Sequence, residues 1–159
     1  NYLQRKSRNR RFDSYVKKAL EDGTPIPRKV VQEMLNAYEV RLLKNRADAI
    51  ARTETLSALH AGRHESFRQV MDNAGISINM VKKVWRSTSD QKVRDTHVEM
   101  HNESIYGIDT PFILPSGDMM MYPLDPSMGA GPDEIVNCRC GCEYEVDFAA
   151  VARAGAGRV

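Results

Sequence analysis

Long apolar runs are missing from this chain, and no segment approaches the roughly 20 apolar residues that a membrane-spanning helix requires. Cysteine is scarce: three residues, all within five positions, which is not the pattern of a disulfide framework. On an extended strand Cys138 and Cys140 would lie too far apart to bridge, so a reducing cytosol during synthesis and assembly is expected. The opening residues are polar and basic, without the apolar centre of a secretory signal. Gly129-Ala130-Gly131-Pro132 lacks the Lys-Ser/Thr of a phosphate loop, and no Gly-x-Ser-x-Gly elbow or internal repeat occurs. The first residue is Asn rather than Met and the end is rich in Gly and Ala, as expected of a piece of something longer.

What is present fits one domain, or one domain with an extended arm. The 159 residues, 42% apolar and 28% charged, suffice for a real core. Net charge is only +2, but seven cations (Arg5, Lys6, Arg8, Arg10, Arg11, Lys17, Lys18) stand against a single acid, Asp13, between positions 5 and 18. Such a run attracts phosphate or an acidic protein surface, and it serves equally as a solvated face.

The first half reads as helix. Phe12, Tyr15, Val16 and Leu20 predict a helix over 11–20, stopped at Asp22-Gly23. After the linker Thr24-Pro25-Ile26-Pro27, the stripe Val31, Met34, Leu35, Tyr38 and Leu42 predicts a helix with one buried face. Helix resumes or continues from 46 to 71 and ends near Gly75. Beyond Gly75 the pattern changes. A strand is expected over 80–85, with Val81, Lys83 and Trp85 on one side. Ser89 or Asp90 then caps a short helix carrying Val93, His97 and Met100. Strand, turn and strand follow at 112–114, 115–118 and 119–122, then a long loop over 123–134. Residues 136–146 alternate strictly, with Val136, Cys138, Cys140, Cys142, Tyr144 and Val146 on one face of a predicted strand. Helices first and strands later predict an α+β fold: a helical N-terminal half, then a small, mainly antiparallel sheet with a short helix.

Candidate chemistry is sparse. His97, Cys138, Cys140 and Cys142 form the one metal candidate, since thiolates and an imidazole suit a closed tetrahedral zinc site. Against this, same-face residues on a strand lie roughly 6.5 to 7 Å apart, wider than zinc tolerates, unless a bend at Gly141 narrows the gap. Free cysteine also serves as a small hydrophobe on an apolar face. The expectation is therefore no cofactor, with zinc at these four residues as the exception to be tested. His60 and His64 share a helix face, but Ala61 replaces the Glu of a metalloprotease helix, so a solvated face is expected. Arg52 and Glu54 are read as neighbouring charges on a solvent face, and no catalytic residue is assigned.

Three blocks carry a resemblance. They are Ile50-Ala51-Arg52-Thr53-Glu54 with Ala61-Gly62; the stretch from Val84-Trp85 through Asp90, Arg94 and His97; and Pro111-Phe112, Tyr122-Pro123-Leu124-Asp125-Pro126 and Val136-Asn137-Cys138-Arg139-Cys140. In order and spacing, over residues 50–148, they resemble the phage Mu F-like head morphogenesis, or minor head, proteins. The resemblance implies a structural component of a tailed-phage head, located in the virion near the portal vertex after assembly in the host cytoplasm. Its implied partners are the portal protein and other head proteins, and its implied role is head assembly and the packaging or release of DNA. Many members carry Cys-x-x-Cys where this chain has Arg94-Asp95-Thr96-His97, so hydrogen bonding between the His97 helix and the Asn137–Cys140 segment is expected in place of a metal. The expected organisation is a basic helical segment over 1–45 for portal or DNA contact, the Mu F-like domain over 46–148 and a flexible tail over 149–159. Two other readings compete: a nucleic-acid binder acting through residues 5–18, where Phe12 and Tyr15 stack on bases or form the buried side of a helix, and a transferase or toxin-like enzyme needing a pocket with converging Arg and Glu.

Overall fold

The computed structural model describes residues 2–156, with side chains through 153, and its contacts divide the chain into two units, Asn1–Ala49 and Ile50–Val159. Its elements are α1 (Asp13–Asp22), α2 (Arg28–Asn73), β1 (Val81–Arg86), α3 (Asp95–Glu99), β2 (Ser104–Tyr106), β3 (Phe112–Ile113), β4 (Met119–Met120), α4 (Pro132–Ile135), β5 (Gly141–Val146) and α5 (Phe148–Ala156). The fold is α+β, as the pattern predicted.

In the first unit, Phe12 and Val16 of the α1 region and Met34 of α2 form a small buried cluster, flanked by Tyr2, Leu3, Ile26, Val30 and Ala37. The basic run is folded into this unit rather than free along its length. Arg8 pairs with Asp13 at 3.1 Å, Arg11 reaches Glu33 at 3.4 Å, and the Arg5 guanidinium lies over the Tyr38 ring. Lys6, Arg10, Lys17 and Lys18 are exposed. Phe12 is buried and Tyr15 exposed, so only one of the two aromatics takes the core position. The predicted buried stripe on α2 holds at Met34 and, half-buried, at Tyr38. Val31, Leu35 and Leu42 are exposed because the face that packs is Val30, Met34 and Ala37, one residue round the helix.

The second unit starts inside α2, which is one continuous helix of 46 residues. It closes where Gly75 takes a left-handed φ of 64° and the Ile76 N–H bonds back to the Met71 carbonyl at 2.9 Å. A three-stranded antiparallel sheet follows in the order β2-β1-β5, with Trp85 opposite Cys142 and Lys83 opposite both Ile105 and Tyr144. β2 has no counterpart in the sequence reading; it is three residues long and lies at the sheet edge. β3 and β4 form the separate hairpin expected around Pro115–Asp118, pairing Phe112 with Met120.

Two local expectations fail for identifiable reasons. Asp90 does not cap α3: its carboxylate accepts from the Lys92 N–H at 2.9 Å in a preceding turn, and Arg94 holds the N-cap position. The strand predicted over 136–146 is ladder-paired only from Gly141, because Asn137 adopts a left-handed φ of 59°, which breaks an extended run. A helix, α5, occupies most of the predicted tail, whose residues 157–159 lie outside the described set.

Candidate functional site

The face of α2 that packs in the second unit is polar in composition, which hid it from a search for apolar stripes. Thr53, Ser57, His60, His64, Phe67 and Met71 recur every three or four residues, so they share one side of the helix. Thr53 Oγ1 accepts the Asn137 N–H at 3.0 Å, and Ser57 Oγ donates to the Leu124 carbonyl at 3.0 Å. His60 Nε2 bonds the Cys140 carbonyl at 3.1 Å. His64 Nδ1 lies 3.1 Å from the Tyr144 hydroxyl, and Phe67 stacks on the Tyr144 ring. The expected solvated histidine pair is therefore a packed, hydrogen-bonded pair, with His60 buried. Arg52, expected to be a surface charge, donates to Asn137 Oδ1 at 3.0 Å. The Arg52-Thr53 pair thus grips Asn137 from two sides and fixes the left-handed turn that a strand would not supply.

Burial holds both histidine pKa values below the ordinary imidazole value; Arg63 adds to the effect at His60, and Lys83 at His64. Because the folded-state pKa is depressed, the folded chain binds fewer protons than the unfolded chain just below pH 6.5. Stability is then full above pH 6.5 and falls as pH drops toward the lowered folded value. His60→Gln, which keeps an amide donor for the Cys140 carbonyl, is expected to flatten that acid decline in urea melts between pH 7 and 5. An unchanged slope would show that His60 titrates normally.

That turn delivers the chemical core of the site. Trp85 on β1 sits edge-on to His97 of α3 and to Phe112, with ring centroids 5.3 and 5.4 Å apart. Around it pack Met100, Leu114, Met120, Leu124, Cys138, Cys140 and Cys142. His97 Nδ1 faces two sulfurs at once, 3.4 Å from Cys138 Sγ and 3.5 Å from Cys140 Sγ. The three donor atoms lie within 4.8 Å of one another, and all three residues are buried. Cys140 N–H approaches Cys138 Sγ at 3.4 Å. On the far side of the ring, His97 Nε2 is 2.9 Å from Glu134 Oε2, close enough to pair although not aligned as a hydrogen bond. Glu134 Oε2 also accepts from Thr96 Oγ1 at 3.0 Å.

Of the four predicted metal ligands, the structure brings together His97, Cys138 and Cys140. Cys142 stands apart on β5, opposite Trp85, where burial pushes its thiol up to about 11. Cys138 and Cys140 precede the paired part of β5, so the spacing of a regular strand does not hold their sulfurs apart. Within the cysteine pair, the Cys140 thiol is drawn down by hydrogen bonding from Cys138, with His97 and the Trp85 indole assisting, while Cys138 is pushed up by the same contact and by burial. The Trp85 indole nitrogen is buried without a hydrogen-bond partner of normal geometry among the described residues.

Outer contacts lock the surrounding loops. Arg139 forms a two-pronged ion pair with Asp90 at 2.6 and 2.7 Å, and Arg94 donates to the Val136 carbonyl. In the Tyr-Pro-Leu-Asp-Pro segment, buried Asp125 accepts the Met121 and Ser127 N–H groups, each at 2.9 Å. Leu124 there is fully buried at a left-handed φ of 69°, a conformation that costs a non-glycine residue about 1–2 kcal/mol. Ser57→Ala, which removes the hydroxyl bonded to that residue's carbonyl, is expected to lower stability by about 1 kcal/mol. No loss in a denaturant melt would remove Ser57 from the tie.

The blocks that carried the resemblance thus meet at one place. A sequence profile described as "Phage Mu protein F like protein" matches residues 11–143. The chain belongs to that family. The match begins within the basic segment, ahead of the three blocks. A Bacillus subtilis (strain 168) relative, named "Uncharacterized protein YqbB", is 34% identical over 107 residues, which is 65% of this chain. The chain spans 32% of that relative's length. No solved structure matches the chain. No helix among the described residues is long and apolar enough to cross a membrane. An open cleft of about 570 Å³ on α2, bordered by Leu59, Gly62, Phe67, Val70 and Tyr144, is lined by Arg63 and by no acid. A second cleft, of about 450 Å³, is lined by both Glu65 and Arg68.

Proposed function

We propose that this Mu F-like chain is a minor head protein that binds the portal at the inner side of its vertex, aiding head assembly and the packaging or release of DNA. One observation carries the reading. Many motif-bearing residues of the second unit are spent on its own core and loop ties, and the first unit carries several cations and apolar side chains at its surface. The first unit holds twelve basic residues against six acids. Lys6, Arg10, Lys17 and Lys18 are exposed there, as are Leu20, Leu35, Val40 and Leu43. Exposed apolar side chains together with an excess of exposed cations suit a protein-contact surface. Packaged DNA is the second candidate for the same cations, and its contacts would weaken steeply with salt.

The test mixes the purified chain with the cognate portal oligomer and follows co-migration by size exclusion at low and moderate salt. Co-migration at both salts is the expected result. Loss of co-migration only at moderate salt assigns the contact to the cations rather than to the apolar residues. No association at either salt contradicts portal binding.

A further inference from the structure

The buried His97, Cys138 and Cys140 donors are arranged as a ligand set, and this arrangement does not depend on the portal reading. Zinc bound by sulfur at about 2.3 Å and by imidazole nitrogen at about 2.0–2.1 Å, in tetrahedral geometry, sets nitrogen and sulfur roughly 3.5 Å apart. The two separations here are 3.4 and 3.5 Å. A chance cluster of small hydrophobes has no reason to aim both sulfurs at the same imidazole nitrogen. The other ring nitrogen is just as telling. It lies 2.9 Å from the buried Glu134 carboxylate, the partner that orients a metal-bound histidine from its far side. Glu134 is itself held by Thr96, and the Cys140 N–H points to the Cys138 sulfur, where an amide stabilises a metal-bound thiolate.

We propose that His97 Nδ1, Cys138 Sγ and Cys140 Sγ bind one zinc ion, with the fourth position taken by water. A cavity of about 10 Å³ opens beside the three donors between Arg94 and Arg139, roughly the space of one water molecule. Two thiolates and a neutral imidazole bring the divalent ion to zero net charge, which suits a buried position. The metal would join α3 to the loop ahead of β5, so its binding adds to the stability of the second unit. Cys142 is excluded because its sulfur lies outside the cluster.

Zinc content of the full chain, purified without a metal-chelating tag, is the first measurement, followed by exchange with cobalt(II). The expected results are one zinc per chain and a cobalt spectrum with thiolate charge transfer and tetrahedral ligand-field bands. Cys142→Ser should keep both, Cys138→Ser and Cys140→Ser should lose both, and Glu134→Gln should weaken zinc binding about 10- to 100-fold. The wild-type measurement decides even where a cysteine variant does not fold. A folded wild-type chain with three titratable thiols, no zinc and no tetrahedral cobalt spectrum overturns the proposal. Loss of metal in Cys142→Ser to the same degree as in Cys140→Ser overturns the ligand assignment.

Discussion

His97→Ala is expected to lower unfolding stability by about 2–5 kcal/mol, the range for truncating a large, fully buried side chain to alanine. His97 is 1% exposed and Glu134 4% exposed, and the 2.9 Å approach between them is the carboxylate's contact on the ring side. The alanine variant leaves Glu134 buried with the Thr96 hydroxyl and removes the ring on which Trp85 rests edge-on. Melts run in excess chelator report on the protein alone, so this loss does not depend on zinc. A second variant, His97→Leu with Glu134→Gln, refills the space without leaving a buried carboxyl beside a void and should recover part of the loss. Unchanged stability in His97→Ala would show that the α3–α4 contact does not hold the second unit together.

The second large effect is one of pH and belongs to Lys83. Its side chain is completely buried in β1, and Nζ donates to the Thr110 carbonyl at 2.6 Å and the Met121 carbonyl at 2.8 Å. Burial lowers its pKa to about 8, against a modest upward pull from Cys142, Asp109 and Asp125. Between that value and the unfolded lysine value near 10.5, the unfolded chain binds a proton that the folded chain has released. Stability contributed by Lys83 therefore rises with pH across that window and is flat below it. The rise amounts to about 3 kcal/mol, from roughly 1.4 kcal/mol per pH unit. It is read as the stability difference between the wild-type side chain and Lys83→Met, both in a Cys142→Ser background so that the neighbouring thiol does not contribute. A difference that stays constant from pH 8 to 10.5 would mean that Lys83 keeps an ordinary pKa and that its site is wetter than its burial implies.

The parts of this fold that were readable in the sequence are those where side-chain type reports burial. Val81, Lys83 and Trp85 were placed on one side of a strand, and all three are buried. The Pro-Ser-Gly-Asp turn was read between two strands, and β3 and β4 flank it. The parts that were not readable are those where polar groups do the packing. Thr53, Ser57, His60 and His64 line the buried face of α2 through hydrogen bonds to Asn137, Leu124, Cys140 and Tyr144, and such a face has no apolar period to detect. Conversely, Ile50 and Val70, apolar residues of the helix expected over 46–71, are 51% and 57% exposed. The site was half legible. Residue types named His97 and the three cysteines, but separating Cys142 from the other two required the Asn137 turn. A non-glycine residue in the left-handed region leaves only a weak trace in sequence, here an asparagine among residues that otherwise alternate like a strand.

The proposed function puts this Mu F-like chain in phage heads, with its first unit on the portal. Cross-linking mass spectrometry on purified heads of the phage that encodes it tests that claim most directly. The chain is expected in the particles, with Lys6, Lys17 and Lys18 cross-linking to the portal more often than Lys82 and Lys92 do. Absence of the chain from the heads, or portal cross-links confined to Lys82 and Lys92, would contradict it.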